Sequence, residues 1–131
     1  MTMKNIYYIL IAAFGFAIDQ SIKYFFMKTP RFAEGVFINN DFAWGLPVPN
    51  NLTALIMILI LFLLIFFAVK KKEPGLWIII AGAFSNLIDR IFYSGVIDYI
   101  HTPFGGVINI ADAMISFGVL AIILNAKKTK I

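Results

Sequence analysis

The sequence predicts an all-α membrane protein with four transmembrane helices, on three observations. The 131 residues are 61% hydrophobic and only 14% charged, more apolar surface than a soluble domain of this size can hide. Four apolar stretches approach the roughly 20 residues that cross a bilayer. Lysines gather at the ends of those stretches, where they act as topology signals. The net charge of +4 is therefore read as membrane orientation, and no nucleic-acid partner is expected. The whole chain, 1–131, reads as a single integral membrane domain.

The first span covers about 6–27 and is interrupted by Asp19, Gln20 and Lys23. It reads as a retained helix and not as a cleaved signal, although Lys4 and the small residues near Ala17 resemble one. The second, about 52–69, carries no charge from end to end. The third, about 75–92, starts after Pro74, whose missing N–H is no loss in a first helical turn. Asn86, Asp89 and Arg90 lie near its far end. The fourth, about 110–125, has Asp112 near its start.

An even number of spans puts both termini and the 70–73 loop on one side. Lys4, Lys70, Lys71, Lys72, Lys127, Lys128 and Lys130 are there with one acid, Glu73. Lys23, Lys28, Arg31 and Arg90 lie towards the other side with six of the seven acids. The excess of Lys and Arg predicts cytoplasmic termini. Asp19, Asp89, Asp98 and Asp112 then all fall near the outer boundary. An ionised group at membrane depth is costly and marks a functional site by default.

Two outer connections remain. In Thr29 to Asn51, Val36-Phe37-Ile38 favours strand, Asn39-Asn40-Asp41 is a turn signal, and Gly45, Pro47 and Pro49 break helix. Phe42 and Trp44, two apart, would share one face of a strand. A small β-hairpin lying on the membrane and a substrate-shaping loop both fit. The second connection, Tyr93 to Val107, carries Asp98 and His101 and is long enough to fold over a site. His101 reads as a polar loop residue, because no partner for a His-based triad is apparent.

The polar residues suggest their chemistry. With no cysteine and one histidine, there is no thiol nucleophile and no Cys- or His-rich metal site. Asn86 and Asp89 are three apart and Asn86 and Arg90 four apart, which places them on one flank of a helix. Gly82, one turn earlier, allows a neighbouring helix to come close. Asp19 and Lys23 are four apart and form an ion pair within one helix. Asp19 and Asp89 each have a cation in their own helix and read as structural pairs. Asp98 and Asp112 have no such partner, and a helix start favours the negative charge of Asp112. Two carboxylates brought close cannot both ionise cheaply, so one keeps a proton. Such a pair can activate water and polarise a carbonyl without Ser, Cys or metal.

Five blocks in order resemble the lipoprotein signal peptidases (signal peptidase II). They are Asp19-Gln20-Ser21-Ile22-Lys23, Asn39-Asn40-Asp41-Phe42-Ala43-Trp44-Gly45, Gly82 through Arg90, Val96-Ile97-Asp98-Tyr99-Ile100, and Asn109-Ile110-Ala111-Asp112. The resemblance implies an intramembrane aspartyl endopeptidase of the bacterial cytoplasmic membrane. It would remove the signal peptide of a lipid-modified prolipoprotein just before the diacylglyceryl cysteine. It implies Asp98 and Asp112 as the catalytic dyad, with Asp19, Lys23, Asn39, Gly82, Asn86, Asp89, Arg90, Asn109 and Ala111 supporting it. It also implies a small extracytoplasmic β cradle over Thr29 to Asn51, a short outer lid helix in part of Tyr93 to Val107, and sensitivity to globomycin. No cofactor or metal is expected; the partners are the prolipoprotein and membrane lipid, and the chain is expected to act as a monomer.

The chain departs from the family at Asp41, where a glycine is usual, and in its short outer connections, which predict a reduced cradle and lid. Two other readings stay open. Intramembrane carboxylates also build proton or ion transporters, although here they crowd one boundary. A homologue that binds lipid or peptide without turnover would keep the same residues.

Overall fold

The computed structural model describes residues 3–41 and 45–129. Four long helices form the body: α1 (Met3–Lys28), α2 (Asn50–Lys71), α3 (Gly75–Tyr93) and α4 (Ile110–Thr129). Three are long and apolar enough to cross a membrane, over Asn5–Lys28, Asn50–Lys71 and Gly75–Tyr93. The apolar part of α4, Ile110–Ala126, is shorter. Phe42 and Trp44, expected to share a strand face, lie outside the described residues, as do Met1, Thr2, Ala43, Lys130 and Ile131.

Local chemistry sets the helix ends. Lys72 adopts a left-handed conformation (φ 53°) at the end of α2, and Pro74 follows to start α3. Ser94, with φ 58°, ends α3. Asn109 and Asp112 cap α4 reciprocally. The Asp112 N–H donates to Asn109 Oδ1 at 2.8 Å, and the Asn109 N–H donates to Asp112 Oδ2 at 3.1 Å. Two of the four N–H groups that a helix start leaves unpaired are thereby satisfied.

Helix α3 is the hub and packs on α1, α2 and α4. Glycines set its approach to α4, where atoms of Gly118 and Ile122 crowd Gly75 while Ala111 and Ile115 crowd Gly82. The order is reversed along the two chains, so α3 and α4 run antiparallel and in close contact. A Cβ on Gly82 would sit 2.5 Å from the Ala111 carbonyl oxygen. Much of the outer surface is apolar, with Phe14, Phe62, Leu63 and Phe117 among the exposed side chains, as expected where lipid replaces water as solvent.

At one end of the bundle, four short strands cover the polar ends of α1, α3 and α4. Strand β1 (Phe37–Asn39) pairs antiparallel with β2 (Val96–Asp98), with Phe37 opposite Asp98 and Asn39 opposite Val96. Strand β3 (Ile100–His101) pairs antiparallel with β4 (Val107–Ile108). This corrects two expectations. Among the described residues, the first connection supplies one ladder strand and not the two of a hairpin: β1 takes its partner from the second connection. Pro47 and Pro49 lack ladder donors, whereas Val96 and Ile97 offer a buried β-branched edge. The lid helix expected within Tyr93 to Val107 is also not formed. Val96, Ile97, Ile100, Val107 and Ile108 favour strand, and Pro103, Gly105 and Gly106 turn the chain between β3 and β4. A 3₁₀ turn, Pro30–Phe32, lies in the first connection.

Gly95 shows why β1 and β2 can meet. A side chain there would strike Asn40 Oδ1 and come within 2.9 Å of the Asn39 carbonyl oxygen. Exposed His101 joins the two connections, its Nε2 lying 2.7 Å from the Gly35 carbonyl oxygen. His101 is thus a polar strand residue of β3 rather than the loop residue expected.

Candidate active site

Two polar layers are stacked beneath the strands. The deeper layer is an ion cluster. Lys23 Nζ lies 2.7 Å from Asp19 Oδ2 and 2.6 Å from Asp89 Oδ2, and none of the three side chains is more than 1% exposed. Removing charges from water is tolerable only with pairing and further hydrogen bonds, and here one lysine serves two carboxylates that hydrogen-bond donors also hold. Asp19 also accepts from Ser85 Oγ at 2.6 Å, Tyr99 OH at 2.6 Å and the Ala111 N–H at 3.3 Å. Asp89 accepts from Gln20 Nε2 at 3.1 Å and the Ile97 N–H at 3.2 Å. The cluster ties α1 to α3, to β2 and to the start of α4.

The third donor of Lys23 reaches the upper layer, 3.1 Å from Asn86 Oδ1. Asn86 Oδ1 also accepts from Asn109 Nδ2 at 3.1 Å, and Asn86 Nδ2 donates to Asp112 Oδ1 at 2.9 Å. Asn109 Nδ2 donates to Asp98 Oδ1 at 2.8 Å, and Asn39 Nδ2 approaches Asp98 Oδ2 at 3.4 Å. Asn109 thus touches both carboxylates, one through its side chain and the other through its backbone. Asn39, rather than Asn40, reaches Asp98.

Asp98 and Asp112 line one cavity of about 450 Å³, together with Asn39, Asp41, Asn86 and Arg90. Met57, Val96, Val107 and Ile108 form its apolar wall. Burial, reinforced by the charge of Asp112, pushes the Asp98 carboxyl up to about 6. A like charge and poor hydration both favour the neutral acid. Burial and the hydrogen bond to Asp19 raise the Tyr99 hydroxyl as well, so it remains a donor.

Arg90 faces away from the ion cluster. Its Nη2 donates to the Asp41 carbonyl at 2.6 Å and its Nη1 to Asn50 Oδ1 at 3.4 Å, while Asn50 Nδ2 donates to the Arg90 carbonyl at 3.0 Å. The end of α3 is thereby joined to the start of α2.

The expected residues therefore separate into three groups. Asn39, Asn86, Arg90, Asp98 and Asp112 face the cavity, with Asn109 bonded to its carboxylates. Asp19, Lys23 and Asp89 form the cluster behind. Gly82 and Ala111 are the contact that seats α4 on α3. Asn86 shares Lys23 of α1 with Asp89 and shares the cavity with Arg90, while Arg90 also reaches the start of α2. Asp89 pairs with Lys23 and not with its neighbour Arg90. Sequence reasoning assigned no role to Gln20, Ser85, Asn50, Met57 or Tyr99. For Gln20 and Ser85 a signal existed, since a polar side chain inside an apolar helix needs a partner. A phenol beside buried acids is a weaker signal of the same kind.

Two carboxylates in one cavity, on a helical body with three helices long and apolar enough to cross a membrane, define the class as a helical membrane protein with a polar site at one end. Residues 11–127 match the family described as Signal peptidase (SPase) II. The chain is 32% identical to the lipoprotein signal peptidase of Staphylococcus aureus strain JH9, over 88% of this chain and 85% of that protein. The same figures hold for strain Newman. Two solved structures, both described as a bacterial membrane enzyme determined by the in meso method, share 31% identity and a TM-score of 0.76. The one at 2.3 Å resolution covers 94% of this chain and 88% of its own, and the one at 1.9 Å covers 91% of each. The chain belongs to the signal peptidase II family.

Proposed function

We propose that this family member is an aspartyl endopeptidase of the bacterial cytoplasmic membrane. It removes the signal peptide from lipid-modified prolipoproteins just before the lipidated cysteine. The observation that carries the reading is the opening of Asp98 and Asp112 into one cavity, with Asp98 disposed to hold a proton.

The roles follow from the hydrogen bonds. Asp112 is held by the Asn86 amide and the Asn109 N–H at the start of α4. Asp112 acts as the base and Asp98 as the acid. Asp112 takes a proton from water as the water oxygen bonds to the scissile carbonyl carbon, and Asp98 gives its proton to the carbonyl oxygen. The tetrahedral intermediate then breaks its C–N bond. The departing nitrogen takes the proton from Asp112, and the new carbonyl returns one to Asp98. Arg90 Nε, buried and without a hydrogen-bond partner in the described residues, would donate to a substrate carbonyl. The Lys23 cluster holds Asn86 in place and does not touch the substrate.

In this reading all four helices span the bilayer, α4 completing the set by lying antiparallel along α3. The chain is one membrane domain, acts as a monomer, and keeps both termini in the cytoplasm. The site then faces the extracytoplasmic boundary, where a lipidated substrate arrives from within the membrane. A gel-shift assay of the purified protein with a lipidated prolipoprotein tests it. Wild type converts the substrate, and Asp98→Asn and Asp112→Asn do not, although both remain folded. Full activity in either variant would remove the dyad assignment.

A further inference from the structure

The cavity mouth holds a carboxylate that has no side-chain hydrogen bond among the described residues, although Arg90 lies close enough to feel its charge. Asp41 follows β1, and two hydrogen bonds meet there. Its N–H donates to Asn39 Oδ1 at 3.0 Å, and its carbonyl accepts from Arg90 Nη2 at 2.6 Å. Both are made by the backbone, so any residue at this position could make them. The side chain is exposed and lines the cavity that contains Asp98 and Asp112.

Charges facing this cavity do not cancel. Asp41, Asp98 and Asp112 stand against Arg90, so even with one proton shared by Asp98 and Asp112 the mouth is one unit negative, and without it two. Behind it, Asp19 and Asp89 outnumber Lys23 by one. An arriving chain therefore meets a negative rim, and Asp41 is its solvent-facing member.

We propose that Asp41 is a specificity-determining residue that selects, by charge, the substrate residues immediately after the lipidated cysteine. This rests on the peptidase reading. With the signal peptide in the bilayer and the cut at its outer boundary, the mature segment leaves towards water past the end of β1. A basic side chain there is attracted and an acidic one repelled. Across several ångströms of partly hydrated space, two such charges differ enough to give about a tenfold preference for Lys over Glu. The preference shrinks as salt shortens the screening length.

The test uses three lipidated prolipoprotein substrates that differ only in Lys, Ser or Glu directly after the cysteine. The full-length protein is assayed as wild type, Asp41→Asn and Asp41→Lys, and the readout is the ratio of kcat/KM for Lys over Glu, whatever the absolute rates. The proposal expects a wild-type ratio near ten that falls towards one in about 0.5 M salt. It expects a ratio near one for Asp41→Asn and below one for Asp41→Lys. A wild-type ratio of one, or a salt-insensitive ratio, would overturn it without use of any variant. So would a preference that survives Asp41→Asn. Failure of wild type to cleave any of the three would instead remove the peptidase reading, and this proposal with it.

Discussion

Lys23 fixes the orientation of Asn86. Its Nζ donates to Asn86 Oδ1 at 3.1 Å, so the amide nitrogen of Asn86 must face the other way, towards Asp112 Oδ1 at 2.9 Å. A cation carries no acceptor, and the amide therefore cannot flip without opposing two donors. A buried ion cluster thus sets the hydrogen bond to a carboxylate that it never touches.

Removing that link separates structure from catalysis. Asn86→Ala leaves the Lys23 pairs to Asp19 and Asp89 in place and frees Asp112 to turn. We expect a folded protein with kcat lowered about a hundredfold, the cost of misplacing a reacting group by about 1 Å, and a KM that changes little. Steady-state kinetics on a lipidated substrate, with thermal unfolding as a control, measure both.

Lys23→Met should have the opposite character. Asp19 and Asp89 would lose their common cation while buried, a loss of about 3–5 kcal/mol. The expected result is a protein that unfolds at much lower temperature or fails to accumulate. Adding Asp89→Asn, which removes one stranded charge, should restore part of the loss.

The proton on Asp98 makes stability depend on pH. Its folded pKa, about 6, lies above the 3.8 of a free carboxyl. Between these values the folded state holds a proton that the unfolded state has lost, so stability falls as pH rises and levels off above 6. Asp98→Asn removes this penalty. We expect the variant to be more stable than wild type at neutral pH by about 2 kcal/mol, the roughly 3 kcal/mol equivalent of the shift reduced by screening from water in the cavity. The advantage should vanish near pH 4 in unfolding scans run across pH in one detergent.

Gly82→Ala probes the helix contact. The added methyl meets the Ala111 carbonyl oxygen at 2.5 Å, a backbone atom with little freedom to move. Overpacking of this kind costs about 1–3 kcal/mol. It also pushes the start of α4, and Asp112 with it, away from Asn86. Activity should fall more steeply than the unfolding temperature.

Much of this was legible in the sequence, for physical reasons. The helices appear within a few residues of their ends, because long apolar runs closed by Lys, Pro and polar caps admit few alternatives. Asp98 and Asp112 stand out in the sequence because neither has a local cation partner. The β1–β2 ladder was not legible, because it joins residues far apart in the chain and short strands carry little pattern. For Asp89 the sequence offers Arg90 or another nearby cation, and spacing along one helix cannot show that the partner is Lys23 of α1. Tyr99, Gln20 and Ser85 act across helices too, and spacing within one element cannot reveal such partners.

The central claim is that Asp98 and Asp112 work as one unit. It is tested most directly by measuring kcat/KM on a lipidated prolipoprotein for Asp98→Asn, Asp112→Asn and the double variant. Groups that act together lose nearly everything with the first removal, so we predict that each single variant is as inactive as the double. Losses that multiply from single to double, or substantial turnover in either single variant, would contradict it.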